Sequence, residues 1–215
     1  MKVYDSPIRL KSKTGEEYRL TVSRDDFPIS PRDDENLSKI LCWHPRQYLG
    51  DKNEFDSYAD FIDVLGEYDT NEIAIFPIRA YEHGGISISI LNSYPFNDKW
   101  DSYQIGVCIV CKSDIAGLLN GEDERKWKEV AKEVAFTEVE LYNQFLNGEV
   151  FCFTLEKREE TFVECPCCNT KIPTGYDWVE VESCGGFFGD DIEENGMLDY
   201  VSGYCCTPLC FEEEE

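Results

Sequence analysis

Eleven cysteines and two histidines carry most of the chemistry available to this chain of 215 residues, and their spacing sorts them. In Cys165-Pro166-Cys167-Cys168, Cys165 and Cys168 have the C-x-x-C spacing of a zinc knuckle, where a tight turn aims two thiolates at one ion. A second pair lies downstream, Cys206 with Cys210 or Cys205 with Cys210, and Cys184 offers a substitute ligand. Four thiolates suit tetrahedral Zn²⁺ in a closed structural site with no open catalytic position. The expected ligands are therefore Cys165, Cys168, Cys206 and Cys210, with reduced, metal-free thiols as the competing state. Cys108-x-x-Cys111 has the same spacing inside a stretch that reads as a strand. Residues three apart there point to opposite faces, so this pair reads as buried and inert.

The histidines are His44, close to Cys42, and His83, preceded by Glu82. A Cys–His nucleophilic pair is one reading of them, but it requires an orienting third group and an oxyanion-forming turn, and neither can be assigned. An enzyme built on Cys42, His44, His83 or Asp101 is thus the least supported class. No glycine-rich phosphate-binding pattern is present. Asp190-Asp191-Ile192-Glu193-Glu194-Asn195-Gly196 supplies oxygen ligands without the spacing of an EF-hand.

The elements that must position these residues follow from apolar periodicity. Val3, Ile8 and Leu10, then Tyr18, Leu20 and Val22, alternate with polar residues and predict a hairpin turning at Thr14-Gly15. Phe55–Leu65 has helical spacing and stops at Gly66, whereas Pro28–Leu49 reads as loop. Glu72–Ala80, Ile86–Leu91, Tyr103–Cys111 and Val150–Leu155 read as strands, with Pro77 marking an edge or a bulge. Glu122–Leu146 is the strongest helix: its apolar face is interrupted by Glu138 alone, and Gly148 closes it. These elements predict an α+β fold, mainly antiparallel sheet packed by one long helix. Residues 1–160 form the expected core domain, and 161–215 a small, acidic, cysteine-rich lobe stabilised by zinc.

Charge narrows the function further. The chain has 44 acidic and 20 basic residues, a formal net charge of −24, and residues 161–215 hold 13 of the acids against a single cation. Such a field repels nucleic acid and anionic membranes and attracts basic protein surfaces. Salt adaptation is a poor explanation for a chain that keeps 42% hydrophobic residues and eleven cysteines; solubility is the bland one. Met1–Leu10 has no apolar core of a signal peptide, and no run approaches a membrane span, so a cytoplasmic protein with reduced cysteines is expected.

Several segments, in order, carry a resemblance. They are Ser30–Leu37, Cys42-Trp43-His44-Pro45-Arg46 with Leu49-Gly50-Asp51, Tyr81-Glu82-His83-Gly84-Gly85-Ile86, Trp100–Gly106, Glu138–Leu146 and Glu182–Gly189. Together they resemble a family of small acidic proteins of bacteriophages and conjugative elements, over most of residues 25–200. The Cys165–Cys168 knuckle looks like an insertion, so a zinc role does not follow from the resemblance, and no catalytic residue does either. What the resemblance implies is a setting: a mobile element inside a bacterial cell. In that setting a carboxylate-covered protein can occupy the basic groove in which a restriction enzyme or CRISPR effector holds nucleic acid. The expected function is anti-defence by nucleic-acid mimicry against a basic, nucleic-acid-handling host protein, without direct binding of nucleic acid. The expected contact residues are Glu129, Glu133 and Glu140 on the long helix and Asp190, Asp191, Glu193 and Glu194 beyond it. An accessory interaction protein of replication or host takeover, with a structural zinc site, is the alternative.

Overall fold

The computed structural model describes residues 7–66, 71–119 and 126–204. It has two antiparallel four-stranded sheets and divides into two compact units, with boundaries at Pro28/Ile29 and Gly148/Glu149. The boundary expected after residue 160 instead falls inside a strand.

The first unit joins both ends of the chain. Its sheet has the order β1-β2-β7-β8, from β1 (Ile8–Lys11), β2 (Glu17–Arg24), β7 (Val150–Glu164) and β8 (Lys171–Phe188). The expected hairpin forms between β1 and β2, and alternation fixes its register, Ile8 opposite Leu20 and Leu10 opposite Tyr18. Leu20 then pairs with Leu155, and Val22 with Phe153. The inward face therefore packs Ile8, Leu10, Tyr18, Leu20, Phe153 and Leu155 against Ile192, Met197 and Val201, the last two from the short helix α3 (Met197–Val201). On the outward face Arg19 pairs with Glu156, and the guanidinium groups of Arg9 and Arg19 each lie 4.9 Å from the Trp178 ring.

Pairing with β2 stops at Lys157, opposite Tyr18, whereas β7 and β8 continue together to Glu164 opposite Lys171. The final stretch of the hairpin, Arg158–Glu164 with its β8 partners, is thus a two-stranded arm about 20 Å long at about 3.3 Å per residue. Phe162, Val163, Ile172 and Tyr176 are exposed along it.

The second unit has the sheet order β3-β6-β4-β5, from β3 (Ser38–Cys42), β4 (Ile73–Glu82), β5 (Ile86–Ser89) and β6 (Ser102–Cys111). Pro77 lies in β4 beyond the reach of β5, which pairs only with Arg79–Glu82, and a register shift follows at Ile78/Arg79. A residue without an N–H is tolerated there because the neighbouring position is open. The helix α1 (Tyr58–Leu65) starts at Ser57, whose hydroxyl accepts the Asp60 N–H at 3.1 Å. The helix α2 (Trp127–Leu146) buries Trp127, Ala131, Ala135, Val139 and Tyr142 against the sheet, and Gly148 ends it at φ 66°.

Glu138, the polar break in that helical face, has a structural cause. Its carboxylate accepts the Leu37 N–H at 2.8 Å, the Ser38 hydroxyl at 2.5 Å and Arg32 Nη1 at 3.0 Å. The Arg32 side chain is 4% exposed and forks onto Asp51 through Nε at 2.9 Å and Nη2 at 2.7 Å, while Nη2 also donates to the Ser38 carbonyl at 2.8 Å. Removing the cation strands two carboxylates, whereas amidating one carboxylate leaves the other pair intact. Arg32→Met is therefore expected to destabilise the Ile29–Gly148 unit by about 3 kcal/mol, read as a fall in the urea midpoint, and Glu138→Gln by clearly less. Equal losses would show that the network is not organised around the arginine.

Candidate functional site

The cysteine turn lies at the tip of the arm. Cys165 N donates to Thr170 O at 3.0 Å and Asn169 N donates to Cys165 O at 2.8 Å, with Asn169 itself at φ 55°, a left-handed position that asparagine tolerates better than most residues. This frame brings together Cys165, Cys167 and Cys168, whose sulfurs all lie within 4.8 Å of one another. Cys165 and Cys167 are 2.9 Å apart, and Cys168 Sγ is 3.1 Å from the Thr170 hydroxyl. These three cysteines could hold a metal ion. The C-x-x-C template points to Cys165 and Cys168 and passes over Cys167; its cue in the sequence was simply a third cysteine inside the turn.

The other expected ligands fare differently. Cys205, Cys206 and Cys210 lie outside the described residues. Cys184 pairs with Phe153 at the far end of β8, on the order of 40 Å along the strand from the tip at about 3.3 Å per residue, and so cannot substitute there. Hydrogen bonds from the Cys167 thiol and backbone, then from Cys168, bring the Cys165 thiol down to about 7, while the Cys167 thiol is raised by the same pairing.

Cys42 and Cys108 behave in the opposite way. Burial, reinforced by Asp51, pushes the Cys42 thiol up to about 12, and burial pushes Cys108 to about 11. Burial also raises Cys111. The His44 side chain is fully shielded, and both its ring nitrogens are occupied. Nδ1 accepts the backbone N–H of Arg46 at 3.1 Å and of Gln47 at 3.0 Å, so Nε2 donates to Glu82 at 2.9 Å. No nitrogen is left to activate Cys42. Glu82 also receives the Tyr103 hydroxyl and Arg46, and it lies below the usual carboxylate range through Tyr103 first and His44 second. Burial and this carboxylate raise Tyr103 to about 12. His44 thus braces the loop 42–56, which lines a cleft of about 1000 Å³. His83 forms a separate, exposed pair with Asp101 at 3.3 Å and stacks on Tyr81.

The seven candidate contact acids fall in different units. Glu129 and Glu133 are exposed one turn apart on α2, alternating with Lys128 and Lys132, and Glu140 is half-buried. In the other unit Asp190, Glu193 and Glu194 are exposed, while Asp191 accepts the Glu193 N–H at 2.9 Å and organises the turn that precedes α3. Further acids, not singled out by the sequence, line the β7–β8 hairpin: Glu159 stands directly opposite Asp177, and Glu160 is exposed beside them. No helix among the described residues is long and apolar enough to cross a membrane. Fold and geometry therefore define a two-unit α+β protein with an acidic hairpin ending in a thiol cluster. No family model, curated protein or solved structure matches the chain.

The thiols should separate by reactivity. With a limiting alkylating reagent on the native protein, Cys165 is expected to be modified first, at a rate rising to its plateau as pH passes about 7. Cys42 and Cys108 are expected to stay unmodified until the protein unfolds. Peptide mapping by mass spectrometry reads the order, and early labelling of Cys42 would contradict it.

Proposed function

We propose that this is a non-catalytic acidic binding protein that engages a basic, nucleic-acid-handling host protein in place of nucleic acid, as an anti-restriction or anti-CRISPR mimic of a mobile element does. One observation carries the reading. Across Glu149–Tyr204 there are 13 carboxylates against 3 cations, and two of those cations, Lys157 and Arg158, are already paired with Glu16 and Glu17. Seven of these carboxylates, from Glu156 to Glu182, sit on the β7–β8 hairpin, whose paired strands hold them in rows as a phosphate backbone holds its charges. Like charges directly opposite on neighbouring strands weaken a sheet, so Glu159 facing Asp177 is a local cost that a folding role does not explain. The occupied nitrogens of His44 and the buried sulfur of Cys42 favour this reading over the enzyme.

A second reading is favoured by the tip: a structural zinc site in which Cys165 and Cys168 are joined by Cys206 and Cys210, making the hairpin an interaction element of an accessory protein. The two readings differ in salt dependence. Under mimicry, capture of a nucleic-acid-binding protein from a bacterial host weakens steeply between about 0.05 and 0.5 M salt and is displaced by duplex DNA. Changing Glu159, Asp177, Asp190, Glu193 and Glu194 to their amides is expected to abolish capture without lowering the unfolding midpoint. Capture that survives high salt, DNA and the amides would leave mimicry without support.

A further inference from the structure

We propose that the hairpin tip is a three-thiolate site for a thiophilic divalent cation of the zinc class, with Cys167 as a ligand beside Cys165 and Cys168 and one coordination position facing outward. This rests on the zinc reading of the tip and changes its ligand set: a knuckle of two cysteines needs two more from elsewhere, and a cluster of three needs one.

The distances fit one ion. A cation bonded to sulfur at roughly 2.3 Å holds tetrahedral sulfurs roughly 3.8 Å apart and cannot span more than roughly 4.6 Å. The three sulfurs lie within 4.8 Å of one another before any metal pulls on them. On binding, the 2.9 Å approach of Cys165 and Cys167 opens by about 1 Å, within the reach of side-chain torsions and without a change in the turn. That turn is already fixed by the Cys165–Thr170 and Cys165–Asn169 backbone hydrogen bonds, so little ordering remains to oppose binding.

The donor set selects the ion. The cluster consists of sulfur alone, which disfavours magnesium and calcium and suits zinc and its thiophilic relatives. Both histidines of the chain, His44 and His83, belong to the other unit, so the tip itself contributes no imidazole. The field of the surrounding carboxylates, beginning with Glu164 next to Cys165, concentrates cations at the arm. Cys167 and Cys168 are exposed, so among the described residues the remaining position is left to water, to a small thiol or to a ligand of a docked partner. An open fourth position is the arrangement that distinguishes an exchangeable or reactive zinc from a purely structural one.

The test is zinc titration of the reduced full-length protein against a chromophoric chelator, with cobalt(II) substitution as the spectroscopic readout. The expected result is one ion per chain, with a sulfur-to-cobalt charge-transfer band that loses about a third of its intensity in Cys167→Ser. Zinc affinity of Cys167→Ser is expected to fall by more than about a hundredfold, the most that loss of an outer-shell partner costs. The Cys206→Ser/Cys210→Ser double variant is expected to keep one ion per chain with the charge-transfer band intact. Loss of binding in that double variant with wild-type affinity in Cys167→Ser would overturn the proposal in favour of the four-cysteine knuckle. Failure of the wild-type chain to take up zinc or cobalt would overturn both. None of these readouts involves a protein partner, so they stand or fall apart from the mimicry reading.

Discussion

A shielded arginine organises the Ile29–Gly148 unit. Arg32 holds the carboxylates of Asp51 and Glu138, and through them three chain segments far apart in sequence. Asp51 carries the constraint into β3 by accepting the Ile40 N–H at 2.8 Å, and Glu138 carries it to the start of the same strand at Leu37 and Ser38. The helix α2 then makes two further side-chain bonds to the backbone: the Tyr142 hydroxyl accepts the Gly50 N–H, and Asn143 accepts the Ile88 N–H, both at 2.8 Å. Apolar packing alone would allow the helix to slide along its sheet; these directional bonds fix its position. Gly50 is part of the same constraint. Its φ is 75°, and a side chain there would press to 2.3 Å from the Ile40 carbonyl.

Where one physical signal dominated, the fold was legible in the sequence. Alternation gave the first hairpin and β5, helical spacing gave α1 and α2, and the open neighbour position explains how Pro77 sits in β4. Both missed strands lack alternation, for opposite reasons. β3, taken as loop, is covered on both faces, with Ser38, Ile40, Leu41 and Cys42 all buried. β8 is exposed on both faces for most of its length, so Thr174–Glu180 has no apolar side to reveal. The unit boundary was hidden because β2 pairs with β7 across more than a hundred residues, a separation that local pattern cannot register.

The candidate site was legible only in part. Cys165 and Cys168 were visible through their spacing, whereas Cys167 required the turn itself, because whether two adjacent cysteines point the same way depends on backbone dihedrals. The facing acids on the hairpin were hidden because β8 carries no pattern, and Asp177 acquires its facing partner Glu159 only through that strand pairing. His44 was a chemically ambiguous residue in the sequence. The two backbone N–H groups on its Nδ1 resolve it as a brace.

Burial and the placing of cations together explain why one composition yields both an inert interior and a reactive exterior. The same thiol lies near 12 at Cys42 and near 7 at Cys165 because one is buried beside a carboxylate and the other receives hydrogen bonds at an exposed turn. The cations follow a parallel division. Arg32, Arg19, Arg46, Lys157 and Arg158 each neutralise a specific carboxylate at a point where strands or loops must be held together. Each such pair takes up one cation and one carboxylate together, so the excess of 44 acids over 20 cations is left uncompensated. Replacing surface acids by amides alters the field and leaves the joins in place, whereas replacing the paired arginines alters both. The charge that sets the outer field and the charge that holds the fold thus reside largely on different, separately addressable residues.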